Sequence, residues 1–227
     1  MRTILISSFH PLLSRNILET SLLDTLTQSG ARVVILCPER KVRFFEQEFA
    51  RDGVRVEGVP TRLYRRDLFL RALALAALST RTLALKRRIE YGIVAQLLHL
   101  AFAWRGGRAA VHALSTILTP RKRFDALFAR YAPNVVFATD VQNELDVSLM
   151  RSALARGVPL VGMVRSWDNL TAKGLVRCIP DRLVVQNDIA KREAEVLHGI
   201  ARESIVVVGI PHYDRYSTII RHPMSPV

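Results

Sequence analysis

Hydrophobic positions along the chain follow two alternating patterns. Short runs rich in apolar residues occupy residues 3–8, 32–37, 54–59, 134–138, 158–164, 182–186 and 204–208. Between most of them the apolar residues recur at helical spacing, as with Ile17, Leu18, Leu22 and Leu26, or Val42, Phe45 and Phe49. Helices are predicted over 16–29 (with Gly30 as terminator), 39–51, 124–131 (closed by Pro133), 145–156 and 189–198. Strands apolar on both faces need helices on both sides, the condition of a parallel sheet. The pattern therefore predicts a doubly wound α/β fold with a mainly parallel seven-stranded sheet. From residue 65 to about 119 only helical signals occur, Ala- and Leu-rich, with Gly106-Gly107 as the expected break. They predict a helical insertion after the third strand.

Charge changes this picture. Of 227 residues, 33 are Lys or Arg and 20 are Asp or Glu, a net charge of +13. Residues 62–130 hold 14 of the basic residues against Asp67, Glu90 and Asp125, and so carry +11 of that excess. Such a block implies an anionic partner: phospholipid, nucleic acid or a phosphorylated substrate. No aromatic-basic interleaving supports nucleic acid, and none is expected as a partner. On one continuous helix over 66–91 the basic positions would be spread around the axis, which weakens a strict amphipathic-helix reading. A helical hairpin with a basic, apolar tip on an anionic membrane surface remains, beside a merely solvated helical surface. The apolar stretch 68–85 is interrupted by Arg71 and Arg81, each costing roughly 2.5–3.5 kcal/mol at mid-bilayer. Residues 93–104 are too short for a span of about 20 residues. The first apolar run ends at Ser7, too early for a signal-peptide core. The expected location is cytoplasmic, peripheral to the inner face of the plasma membrane where the insertion meets it. Composition (49% hydrophobic, 23% charged) excludes a disordered chain. Cys37 and Cys178 lie far apart with no ligand spacing, so neither a zinc module nor a disulfide framework is expected.

The first strand-to-helix turn, Ser7-Ser8-Phe9-His10-Pro11-Leu12-Leu13-Ser14, contains no glycine. G-x-G-x-x-G is therefore missing where a dinucleotide fold requires it, and the P-loop, H-E-x-x-H and G-x-S-x-G motifs are absent. No cofactor and no metal are expected. Ligands of open parallel sheets bind beyond the carboxyl ends of the strands. Ser8 and His10 follow the first strand there, Asp140 the fourth, Arg165 to Thr171 the fifth, and Asn187 and Asp188 the sixth. His10 is the candidate general base, an imidazole able to take a proton from a hydroxyl near pH 7; the alternative is a loop histidine bound to backbone. Ser8, Asp140, Ser166, Trp167, Asp168, Asn169 and Asn187 are the candidate substrate-binding residues. Trp167 beside Asp168 and Asn169 suits stacking plus directional hydrogen bonds to a sugar. The alternative is a buried Trp167 with Asp168 and Asn169 in an Asx turn. Asp188 is expected to cap the following helix. His99 and His112 are read as structural, and Cys37 as a buried small hydrophobe.

Several blocks carry a family resemblance: residues 166–174 (SWDNLTAKG), 180–187 (PDRLVVQN), Lys191-Arg192-Glu193, and 207–214 (VVGIPHYD). Over roughly residues 133–216 the chain resembles the N-terminal Rossmann-like domain of GT-B glycosyltransferases. It is nearest to bacterial surface-polysaccharide, CDP-glycerol glycerophosphotransferase-like and UDP-N-acetylglucosamine 2-epimerase-like proteins. The resemblance implies an acceptor-side domain over 1–216, with the basic insertion at 62–130 and 217–227 as a linker or frayed tail. It implies a nucleotide-activated donor held by a C-terminal domain that this chain lacks, so the chain is expected to be either a fragment or a separate subunit. It also implies that His10 is the base. The implied function is the acceptor-binding half of a glycosyl- or glycerophosphotransferase in surface polysaccharide or glycolipid synthesis, inactive without its donor domain. The alternatives are a non-catalytic subunit docking on an anionic membrane or protein, and a UDP-sugar 2-epimerase-like fragment.

Overall fold

The computed structural model describes residues 1–11, 14–120, 122–214 and 216. The residues read as a tail, 217–227, lie outside them. Chain order gives β1 (Thr3–Ser7), α1 (Leu22–Gln28), β2 (Arg32–Pro38), α2 (Val42–Phe49) and β3 (Val54–Val59). Five helices follow: α3 (Arg65–Ala77), α4 (Arg81–Lys86), α5 (Gly92–Phe102), α6 (Arg105–Leu118) and α7 (Asp125–Tyr131). Alternation then resumes with β4 (Val135–Ala138), α8 (Glu144–Leu154), β5 (Leu160–Met163), α9 (Asn169–Ala172), β6 (Arg182–Val185), α10 (Asp188–His198) and β7 (Ile205–Val207). All seven strands pair in parallel in the order β3-β2-β1-β4-β5-β6-β7. Strand order reverses between β1 and β4, so the crevice beyond Ser7 and Ala138 is the topological switch point.

Side chains alternate across each strand, so each strand feeds two cores. Leu5, Val34, Leu36, Val136 and Leu160 face one side with Phe124, Leu149, Met150 and Ala194 of the helices. Ile6, Val33, Ile35 and Cys37 face the other, against Ile17, Leu23, Phe45 and Phe49. Burial on both sides explains why the inner strands read as apolar runs. Cys37 and Cys178 are both buried, and burial pushes each thiol up to about 11.

Helix continuity departs from the periodicity. Residues 16–29 do not form one helix: a π-helical turn (Ser14–Leu18) precedes α1. Gly30 terminates α1 as expected, at φ +79°. In the insertion, Gly106 and Gly107 lie inside α6 and do not break it. A Cβ on Gly107 would come within 2.6 Å of the Phe102 backbone, so these glycines serve close packing. The breaks fall after Ala77, at Gly92 (φ +68°) and at Ala103–Trp104, two residues before Gly106. Asp188 is the first residue of α10; Asn187 is its cap, accepting from the Ala190 amide at 2.9 Å.

The insertion has its own small core of Leu73, Ala77 and Val111, joined by Leu175 from the loop after β5. Its entry and exit are tied together. Asp67 accepts from the Tyr64 amide at 2.8 Å and from Arg123 at 3.3 Å, with the Arg123 guanidinium over the Tyr64 ring. The carbonyls at the C-terminus of α3 find partners outside their own helix. Leu175 donates its amide to Ala74 O (2.9 Å), His99 Nδ1 meets Ala76 O (2.8 Å), and Arg87 reaches Leu75 O and Leu78 O (3.4 and 3.3 Å). A cation there also suits the negative end of the helix. Gly174, at φ +89°, lies against this helix end. A Cβ on it would stand 2.7 Å from the Ala74 carbonyl carbon, so only glycine fits. The insertion thus folds back onto the carboxyl edge of the sheet.

Candidate functional site

The folded-back insertion and the strand ends enclose a cleft of about 430 Å3 at the switch point. The sheet side supplies Phe9, His10, Asp140, Gln142, Arg165, Asn169 and Lys173; the insertion supplies Arg71, Leu75, Lys86 and Tyr91. A larger groove of about 930 Å3 lies by Arg32 and Gly53, at the amino ends of the strands. Parallel sheets do not place their ligands at that edge.

Ser7 closes β1 and holds the floor. Thr139 donates its amide to Ser7 Oγ at 3.0 Å and its hydroxyl to Ser7 O at 2.7 Å. Ser7 Oγ also donates to Asp146, a fully buried carboxyl on α8. Burial, then the charge of Asp140, push the Asp146 carboxyl well above the usual carboxylate range. Asp140 itself is raised by burial, against the pull of Arg165. Arg165 Nη1 pairs with Asp140 Oδ2 at 3.0 Å, and Asn169 Nδ2 and the Gln142 amide donate to Asp140 Oδ1 at 3.4 and 3.1 Å.

Among the described residues, five buried polar atoms in and beside this cluster have no hydrogen-bond partner: Arg165 Nε, Asn169 Oδ1, Gln142 Oε1, Asp146 Oδ2 and Glu144 Oε1. An unsatisfied buried donor or acceptor costs about 1–3 kcal/mol, which a ligand can relieve. Arg165 Nε as donor and the Asn169 and Gln142 amide oxygens as acceptors suit a ligand bearing both hydroxyls and an acceptor oxygen. Charge adds a second constraint. Of the cleft's acids, Asp140 is paired with Arg165 and Glu144 with Arg177 at 2.6 Å. Arg40, Arg71, Lys86 and Lys173 line the cleft without an ion pair among the described residues. The cleft therefore favours an anion. His10 sits at its edge, and also lines a neighbouring pocket with Ser8, Arg40 and Lys41. Burial, then Arg165, Lys173 and Lys41, pull the His10 pKa below its ordinary 6.5. The imidazole is consequently neutral at pH 7, in the state that accepts a proton.

The structure brings His10, Asp140 and Asn169 together in the cleft. Ser8 is buried beside it, its amide donated to Leu36 O at 2.7 Å. Ser166, Trp167 and Asp168 lie on the loop rising from β5, outside the cleft lining. Ser166 O accepts the Asn169 amide at 3.1 Å, and Asp168 O accepts from Thr171 and Ala172. Trp167 is 79% exposed, not buried. The Asn187 side chain caps α10 at the end of β6. Arg71, Lys86 and Tyr91 were not singled out by sequence. Their only signal was membership of the basic insertion, because a contact across some hundred residues leaves no local pattern. Among the described residues no three His, Cys, Asp or Glu side chains converge to hold a metal ion.

No family model matches the sequence, and no curated protein matches it. Among solved structures the chain is similar to the glycosyltransferase VinC in complex with dTDP. The two are 18% identical, with a TM-score of 0.37, over 73% of this chain and 35% of that one. It is also similar to the glycosyltransferase of kitacinnamycin, at 14% identity and a TM-score of 0.44, over 92% of this chain and 51% of that one. The chain spans about a third of the length of the first and about half of the second. Both solved neighbours are glycosyltransferases, and by its strand order and flanking helices this chain is a Rossmann-like α/β domain.

Proposed function

We propose that the chain is the acceptor-side domain of a GT-B-type glycosyl- or glycerophosphotransferase, completed by a donor-binding domain outside it. The observation that carries this reading is the switch-point cleft, where unpaired cations and unsatisfied polar atoms surround a neutral histidine. In this reading Arg71, Lys86 and Lys173 hold the acid group of an acceptor. Asn169 and Gln142 accept hydrogen bonds from its hydroxyls. His10 takes the proton of the attacking hydroxyl as that oxygen bonds to the activated carbon or phosphorus of the donor. The donor domain would stabilise the leaving group, a nucleoside diphosphate where carbon is attacked and a nucleoside monophosphate where phosphorus is attacked. The test is a binding panel by calorimetry: glycerol phosphate and glucose 6-phosphate against glucose and glycerol. Phosphorylated compounds are expected to bind at least tenfold tighter, with the gain lost in Lys173→Gln. Equal binding of charged and neutral compounds overturns the reading.

A second element of the proposal concerns location. Among the described residues no single helix is long and apolar enough to cross a membrane. On α5 and just beyond it, however, Ile93, Leu97, Leu100 and Trp104 form one stripe at helical spacing, each 60–76% exposed. Arg81, Arg88 and Arg105 are exposed on the flanking segments. An apolar stripe beside cations suits an anionic bilayer surface. Co-sedimentation with phosphatidylglycerol vesicles is expected to exceed that with phosphatidylcholine and to fall with salt. Leu97→Asp/Leu100→Asp should abolish it. Indifference to lipid charge would sink the peripheral-membrane reading.

A further inference from the structure

Beside the cationic cleft lies a second cavity of different character. It is a groove of about 400 Å3 between α3, α4 and α5, lined by Leu68, Leu83, Val94, Ala95 and Leu98. Arg71, Leu75 and Tyr91 line both cavities, so the apolar groove and the polar cleft share a wall. Cationic groups stand at their junction. Arg71 is exposed and has no ion pair among the described residues, and Lys86 is on the cleft side. Arg87, on the groove side, is 6% exposed and, among the described residues, meets the Leu75 and Leu78 carbonyl oxygens and His99 Nε2 (3.4 Å) and no carboxylate.

Each class of occupant leaves something unmet, except one. A free sugar phosphate would neutralise the cleft and leave the groove wet. An apolar helix from another protein would fill the groove and leave Arg71, Lys86 and Lys173 without a counter-charge. A molecule with an anionic head and a hydrocarbon chain satisfies both at once. The surroundings agree: Tyr91 and Val94 are exposed at the groove (42% and 65%), on the segment that carries Ile93, Leu97 and Leu100. The groove therefore opens beside an apolar surface from which a chain can enter sideways.

We infer that the acceptor is an amphiphile, a long-chain phosphate ester whose phosphate sits among Arg71, Lys86 and Lys173 and whose chain lies in the groove between α3, α4 and α5. This rests on the acceptor-side reading above and narrows its substrate class.

The test is calorimetry on the whole chain with three probes, each below its aggregation concentration. Octyl phosphate carries head and chain, glycerol phosphate the head, octyl glucoside the chain. Octyl phosphate is expected to bind at least tenfold tighter than either of the others, since burial of two methylenes alone gives about that factor. Ala95→Trp fills the groove without opening a cavity. It should bring octyl phosphate down to the level of glycerol phosphate and leave glycerol phosphate unchanged. Arg71→Gln should weaken both phosphates. If octyl phosphate binds no tighter than glycerol phosphate, or keeps its advantage in Ala95→Trp, the groove is not a chain site, while the acceptor-side reading stands. Octyl glucoside binding as tightly as octyl phosphate also overturns the inference, because the head would then contribute nothing. If neither phosphate binds, both readings fall.

Discussion

Arg177→Met is expected to lower the stability of the fold by about 3–5 kcal/mol, the usual cost of removing one partner of a buried ion pair. Arg177 and Glu144 are 3% and 8% exposed and meet at 2.6 Å. Glu144 opens α8 directly after its Asn143 cap and lines the cleft. Burial already raises its carboxyl, and Arg177 is the main influence pulling it back. Without Arg177 the folded-state pKa rises further. Below about pH 4.3 both states are protonated and the variant pays no ionisation penalty. As pH rises through that value the unfolded chain ionises while the fold holds its proton, so stability falls until the folded pKa is passed. The deficit should therefore be larger at pH 8 than at pH 4. Thermal melts should show a drop of about 6–20 °C at neutral pH, given about 2–4 °C per kcal/mol at this size. Arg177→Met/Glu144→Leu should recover more than half of it. A loss under about 1 kcal/mol would mean that the pair is dispensable.

His10→Ala is expected to reduce turnover of the assembled transferase by about 10²–10⁴-fold, the range for a general base. Acceptor binding should change little, because the proposed function assigns the anion to Arg71, Lys86 and Lys173. The pH profile supplies the independent sign. The His10 pKa lies below 6.5, so the base form persists to that pH and the rate falls only on its acid side. Lys173 is one of the charges that depress it. Lys173→Gln should move the acid limb upward while weakening the acceptor. A variant without His10 that keeps its rate within about threefold assigns the proton to another group.

The sheet was legible because its inner strands, β2 above all, are buried on both faces and show as runs of Val, Ile and Leu, while the edge strand β3 alternates Val with Arg and Glu. β3 matches the predicted run at 54–59, and β2 extends it by only one residue, to Pro38. The strand ends followed from the same pattern, with His10 and Asp140 read directly from them; that both lie at the switch point depends on the strand order, which the pattern does not carry. The insertion was legible as helical and basic, with one interior break expected two residues after its place at Ala103–Trp104 and the others not foreseen. Gly106-Gly107 looked like a terminator because local propensity disfavours glycine, whereas packing against Phe102 and Trp104 makes it the residue that fits. Trp167 could be read as buried or stacking from composition alone; its exposure is set by how the loop leaves β5. The wall formed by Arg71, Lys86 and Tyr91 had no sequence signature, since it exists only when α3 docks on Gly174.

That docking also orders events in time. The amide that caps Ala74 belongs to Leu175, about 100 residues later in the chain. At about 5–20 residues per second, a ribosome delivers α3 some 5–20 s before its partner. For that interval the Leu73, Ala77 and Val111 cluster lacks Leu175, and the end of α3 keeps an open carbonyl. A nascent chain stalled before residue 175 would expose an unfinished apolar surface beside the stripe on α5. The proposed bilayer contact of the insertion would have its longest opportunity there, before the cleft exists.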